Sequence, residues 1–141
     1  IAAEKNILQA VETVNALSGH CSARFVLVGD GPLREKLQQK YPDFIFCGTQ
    51  LGESLAAHYA SADVLLFPSK TETFGNVVTE GMASGLAVIA YDEAAAHEHI
   101  SDMQNGVLAK GSGSRNFTSV TLQLCKQPEK INSIGNEAAR Y

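Results

Sequence analysis

The stretch "VLLFPSKTETFGNVVTEGMASGLAVIAY", residues 64–91, decides the fold. It opens on four apolar residues and stops at Pro68, which cannot donate to a strand ladder. A polar, glycine-containing turn follows. From Gly75 the pattern becomes helical and closes at a terminal glycine, Gly85. "LAVIAY" then returns as another unbroken apolar run. Strands with no polar alternation are buried on both faces, and a strand–helix–strand passage joins parallel neighbours.

The same alternation extends outward in both directions. "EKNILQAVETVNALSG" carries Ile7, Ala10, Val11, Val14 and Leu17 on one helical face and ends at Gly19. "RFVLVG", "FIFCG" and "NGVLA" read as strands, whereas "GPLREKLQQKYP" and "ESLAAHYASA" read as helices. The tail, 115–141, reads as two helices divided near Pro128. No repeat, low-complexity tract or linker interrupts this order, so 1–141 is read as a single domain. The predicted class is α/β, a Rossmann-like doubly wound parallel sheet with helices on both faces.

Composition narrows the function classes. The 141 residues are 45% hydrophobic and 18% charged, with a net charge of -4. No basic cluster suggests nucleic acid or an anionic membrane surface as a partner. No apolar run approaches the ~20 residues of a membrane span. The three cysteines, Cys21, Cys47 and Cys125, lack Cys-x-x-Cys spacing and read as thiols in a reducing compartment. His97 and His99 flank Glu98 but do not share a helix face, and no metal site is expected.

In doubly wound sheets, ligands lie beyond the carboxyl ends of the strands. The turns to search are therefore 29–32, 48–51, 68–76 and 92–97. The third holds Glu72, Phe74, Gly75 and Asn76 at the start of a helix that carries Glu80. Unpaired N–H groups and the dipole of a helix start favour an anion, and Gly75 lets it approach closely. A carboxylate would repel phosphate, so Glu72 suits hydroxyls beyond it. Glu80 follows one turn into the helix, on a face shared with apolar residues, where a carboxylate needs a partner. A ribose diol offers two donors. Read this way, the spacing fits a nucleotide sugar. Taken as residues alone, the pair also fits an ordinary loop charge and a solvated helix residue.

"PSKTETFGNVVTEGMASGLAVIA" resembles the Glu-x7-Glu donor segment of retaining GT-B glycosyltransferases of the group 1 type. "AAEKN", "LVGDGPL", "FIFCGTQ" and "NGVLA" resemble the other landmarks of that family, in the same order. The resemblance implies that Lys5 neutralises the donor diphosphate and that Glu72 is the catalytic-site carboxylate holding the sugar hydroxyls. It implies phosphate and sugar contacts from the backbone of Phe74, Gly75 and Asn76, and a ribose contact from Glu80. Gly29 and Gly31 would admit the ligand close to the backbone, and residues 48–50 would meet the base. Outside the resemblance, Lys5 also reads as an exposed first-turn lysine, and the two glycines as closing a tight turn.

The implied activity is transfer of a hexose from a UDP- or GDP-linked sugar to an acceptor, with retention. The chain has no Asp-x-Asp pair, and the family is expected to need neither metal nor cofactor. Ala87 stands where the family usually has Pro. The resemblance also implies an N-terminal acceptor-binding domain, a phosphate-binding Arg and a first strand, all expected to precede Ile1. The chain alone is thus expected not to transfer sugar. Its location is expected to be cytoplasmic, with membrane attachment only through the N-terminal domain. Without its first strand, "RFVLVG" and "DVLLFP" flank a slot, expected to be closed by direct pairing or filled by another segment, with a distorted donor site. Half of a GT-B sugar-nucleotide epimerase and a non-catalytic doubly wound module remain alternative readings. The first needs a carboxylate pair for proton transfer, and the second an acidic cluster at a strand's carboxyl end.

Overall fold

The computed structural model describes residues 7–28, 33–68, 76–92, 94–110 and 116–141. Helices and strands alternate: α1 (Ile7–Leu17), β1 (Val26–Val28), α2 (Arg34–Lys40), β2 (Ile45–Gly48), α3 (Gly52–Ser61), β3 (Val64–Phe67), α4 (Asn76–Ala83), β4 (Ala87–Tyr91), α5 (Ala94–His99), β5 (Val107–Ala109), α6 (Phe117–Cys125) and α7 (Pro128–Arg140). Every strand pairing is parallel. The α/β reading of the sequence therefore holds. α5 was not anticipated, because six residues reading Ala-Ala-Ala-His-Glu-His carry too little apolar periodicity.

β4 is the centre of the molecule. All five of its residues are buried, and it pairs with β3 on one edge and β5 on the other. Successive side chains point to opposite faces. Ala87, Ile89 and Tyr91 accordingly join Val107, Ala109, Phe117, Val120, Leu124 and Ile134 in one core layer. Val88 and Ala90 join Val78, Met82, Ala96, Ile100, Leu108 and Ala138 in the other. β3 divides the same way, with Val64 and Leu66 on the first face and Leu65 and Phe67 on the second. α6 covers the first face and α4 and α5 the second, while α7 reaches both through Ile134 and Ala138, so one sheet is clamped from both sides.

The helix ends follow local chemistry. Asn116 caps α6 by accepting a hydrogen bond from the Ser119 N–H at 2.8 Å. Pro128 opens α7 at a position where a missing N–H costs nothing. Gly19 ends α1 in the left-handed region at φ 84°. Thr13 is fully buried between α1 and α6, and its hydroxyl reaches the Gln9 carbonyl at 2.8 Å and Thr118 Oγ1 at 3.0 Å.

Two expectations fail. Apolar runs were read as strands buried on both faces, but Val26, Val28 and Ile45 are 43%, 40% and 42% exposed. β1 buries Leu27 on one face while Val26 and Val28 on the other stay open, and neither core layer extends to β1 or β2. In addition, β1 and β3 do not close on each other. β1 and β2 form a two-stranded sheet, separate from the three-stranded β3–β4–β5 sheet. Direct pairing of "RFVLVG" with "DVLLFP" is therefore ruled out, and among the described residues no strand joins the two sheets.

α4 is held at its far end by an unusually close approach. Gly85 turns the chain at φ 81°, and a Cβ on Gly135 of α7 would lie 2.2 Å from the Gly85 carbonyl oxygen. Backbone on both sides cannot yield as a side chain would. Gly135→Ala should therefore lower stability by about 1–3 kcal/mol. Urea unfolding measures this directly, and an unchanged midpoint would show that α7 does not pack as described.

Candidate functional site

Within each sheet the strands are parallel, so their carboxyl ends share a rim. α4 starts on that rim at Asn76, as the sequence reading required. One turn on, Glu80 is exposed and its carboxylate accepts a hydrogen bond from the hydroxyl of Tyr59 on α3. The expected apolar surroundings of Glu80 are thus corrected. The buried residues of α4 include Val78, Gly81 and Met82, while Glu80 turns toward α3. Tyr59 is half-buried. Burial first, and then the Glu80 charge and hydrogen bond, push its hydroxyl up to about 12.

The end of β2, in the other sheet, carries a second group of contacts. Gly48 adopts φ 69°, and a Cβ there would lie 3.3 Å from Nη1 of Arg34 at the start of α2. Gln50 Nε2 donates to the Cys47 carbonyl at 2.7 Å, and the Ser54 hydroxyl donates to Gln50 Oε1. The 48–50 backbone is therefore braced from both sides by side chains.

A third cluster lies beyond β4 and β5. Asp92 bonds to His97 Nδ1 and to Lys110 Nζ, each at 2.5 Å. The Lys110 bond first, and then that of His97, hold the Asp92 carboxyl below its ordinary value, against the opposing effect of burial. His97 and Lys110 side chains are 70% and 55% exposed, so water screens both pairs.

Of the residues read as donor-binding, the structure brings Asn76 and Glu80 together on α4. Lys5, Gly29, Gly31, Glu72, Phe74 and Gly75 lie outside the described residues. The sequence reading missed Tyr59, Arg34 and the Asp92 cluster. The turn 92–97 had been marked for search, but a contact at i, i+5 that recruits Lys110 has no linear signature. Among the described residues, no three His, Cys, Asp or Glu side chains converge as metal ligands, and no helix is long and apolar enough to cross a membrane.

The family profile described as "Glycosyl transferases group 1" matches residues 1–127. The chain belongs to this family. Among curated glycosyltransferases, it is 35% identical over 131 residues to a GDP-mannose-dependent alpha-mannosyltransferase from Mycolicibacterium smegmatis. That match covers 93% of this chain and 32% of the relative. The group 1 domain described here thus spans about a third of that relative's length. Its fold is that of GT-B C-terminal domains. It superposes on the C-terminal domain of the group 1 glycosyl transferase LpcC from Francisella tularensis with a TM-score of 0.84 at 24% identity, covering 99% of this chain and 78% of that one. Anabaena HepE, solved in complex with UDP-glucose, gives a TM-score of 0.77 at 23% identity, covering 99% and 41%.

The Tyr59–Glu80 bond carries a pH signature. A hydroxyl whose folded value lies above its unfolded value of about 10 adds stability that is complete below pH 10. That stability is lost as pH rises toward 12. The stability difference between this glycosyltransferase domain and its Tyr59→Phe variant should accordingly change between about pH 10 and 12. Parallel stability curves across that window would mean that the hydroxyl does not engage Glu80.

Proposed function

We propose that this chain is the donor-binding domain of a glycosyltransferase that moves a hexose from a nucleoside-diphosphate sugar to an acceptor, with retention and without a metal. The observation that carries the reading is a group 1 chain whose Glu72–Glu80 spacing runs into the start of α4 at the sheet's carboxyl rim. The first N–H groups of α4, at Asn76 and Val77, lack partners within the helix and suit a diphosphate, where the helix dipole adds its positive end. Glu80 receives the ribose hydroxyls, and Tyr59 fixes its carboxylate for them. Glu72 holds the hydroxyls of the sugar, Lys5 neutralises the diphosphate, and the 48–50 backbone meets the base. Gly29, Gly31, Phe74 and Gly75 supply the close backbone approaches. The mannosyltransferase relative supports a GDP-linked hexose, and the neighbour bound to UDP-glucose supports the broader nucleotide-sugar class.

The reaction needs an acceptor and groups from a second domain, since positioning two substrates supplies much of the rate. A further strand between β1 and β3 would unite the two sheets, give their facing edges partners and place all the carboxyl ends in one continuous rim. Such a protein acts as one half of a cleft: this half holds the nucleotide and the other presents the acceptor.

Calorimetric titration distinguishes the two glutamates. Glu80→Ala should weaken GDP or UDP binding by about 1–3 kcal/mol through lost charge-assisted bonds. Glu72→Ala should leave the nucleoside diphosphate unaffected and weaken the intact sugar nucleotide alone. Equal losses of nucleotide in both variants would overturn the division of roles.

A further inference from the structure

One polar side chain joins three elements on the first face of the β3–β4–β5 sheet. Gln9 stands in the first turn of α1 and is half-buried. Its Nε2 donates to Thr118 Oγ1, near the start of α6, at 3.1 Å and to Thr13 Oγ1 at 3.3 Å. Its Oε1 accepts from the hydroxyl of Tyr91 at 3.4 Å. Tyr91 is the last residue of β4, so this bond ties α1 to the carboxyl end of the central strand. The hydroxyls are equally committed. Thr13 gives its one proton to the Gln9 carbonyl at 2.8 Å, so Thr118 is the donor in the 3.0 Å contact between the two threonines. The Tyr91 ring packs in turn on Phe117 of α6, with centroids 5.3 Å apart. A satisfied network of this kind specifies one placement of a helix where apolar contacts tolerate several.

We propose that Gln9 is a positioning residue for the nucleotide: it locks the first turn of α1 to the carboxyl end of β4 and so sets where Lys5 meets the diphosphate. This rests on the donor-binding reading, in which Lys5 neutralises that group. Lys5 precedes Gln9 by four residues, a length of chain that spans at most roughly 14 Å. The anchor stands beside the nucleotide's own helix. β4 pairs with β3 through Phe67 and Ala90, one strand spacing of ~4.8 Å apart, and the chain passes from the end of β3 to α4. Gln9 meets the sheet on the face opposite α4. A ligand over the end of the sheet is then held from both faces, by the first N–H groups of α4 and by the lysine that precedes α1. A lysine is a point charge on a flexible stem, so its value to a phosphate depends on where its backbone is fixed. Gln9 touches no substrate and acts only through Lys5.

Calorimetric titration with GDP or UDP, repeated at several salt concentrations, tests this on Gln9→Leu, Tyr91→Phe, Lys5→Ala and the variant combining Gln9→Leu with Lys5→Ala. Lys5→Ala should weaken binding about tenfold through one lost charge-assisted contact. It should also flatten the decline of affinity with salt. Gln9→Leu should weaken binding several-fold and flatten the salt dependence in the same way. The combined variant should bind no more weakly than Lys5→Ala alone. Tyr91→Phe keeps the ring against Phe117 and removes the hydroxyl that Gln9 accepts from. It should show the same change on a smaller scale, even if Gln9→Leu fails to fold. A network that merely stabilises α1 would lower the melting temperature and leave both affinity and salt dependence as in wild type. That result would overturn the proposal, as would losses from Gln9→Leu and Lys5→Ala that simply add. Lys5→Ala with wild-type affinity would remove the role of Lys5 and this proposal with it, while leaving the assignment of Glu80 standing.

Discussion

β4 is buried along both faces, and its alternating side chains belong to two core layers at once. That double burial is the constraint on which the functional rim depends. Ile89 and Tyr91 pack with α6 and with Ile134 of α7, while Val88 and Ala90 pack with α4, α5 and Ala138 of α7. α4 is fixed a second time by the backbone contact of Gly85 with Gly135, which only two glycines allow. α4, and with it Glu80, is thus aimed by the sheet beneath it and by direct packing against α7. A shift of α7 would therefore be passed to α4 and to the Glu80 it carries.

The β1–β2 sheet is joined to this core by fewer ties. β1 and β2 pair with each other and stay outside both core layers. Tyr59 is one of the ties, because α3 delivers its hydroxyl to the carboxylate of Glu80 on α4. A hydrogen bond to a charged acceptor is stronger than one between neutral groups, and it also restricts rotation of the carboxylate. In the proposed function, that restriction leaves Glu80 an oriented acceptor for a ribose diol. Nucleotide binding and the relation between the two halves of the domain are then linked through one side-chain pair.

Legibility in the sequence follows physical range. Unalternated apolar runs located every strand, and glycine and proline punctuation located the ends of α1, α4 and α7. The same runs failed to distinguish β4, which is buried throughout, from β1, whose Val26 and Val28 face water. Apolarity records a capacity for burial; which runs are covered is a tertiary fact. At the site, the start of α4 at Asn76 was readable because helix-start chemistry is local. Tyr59 was not, since nothing in a helix twenty-one residues before Glu80 announces which side chain will reach it. The Asp92–His97–Lys110 cluster was hidden for the same reason, being assembled from separate elements.

The central claim is that a nucleoside diphosphate lies at the start of α4, between that helix and the end of β2. Amide chemical-shift mapping on titration with GDP or UDP tests it most directly. The account predicts the largest changes at Asn76, Val77 and Glu80, with a second group at residues 48–50 and a response from Tyr59. Residues of α6 and the outer face of α7 should be unmoved. Changes concentrated on α6 and β5, or no response to either nucleotide at millimolar concentration, would contradict it.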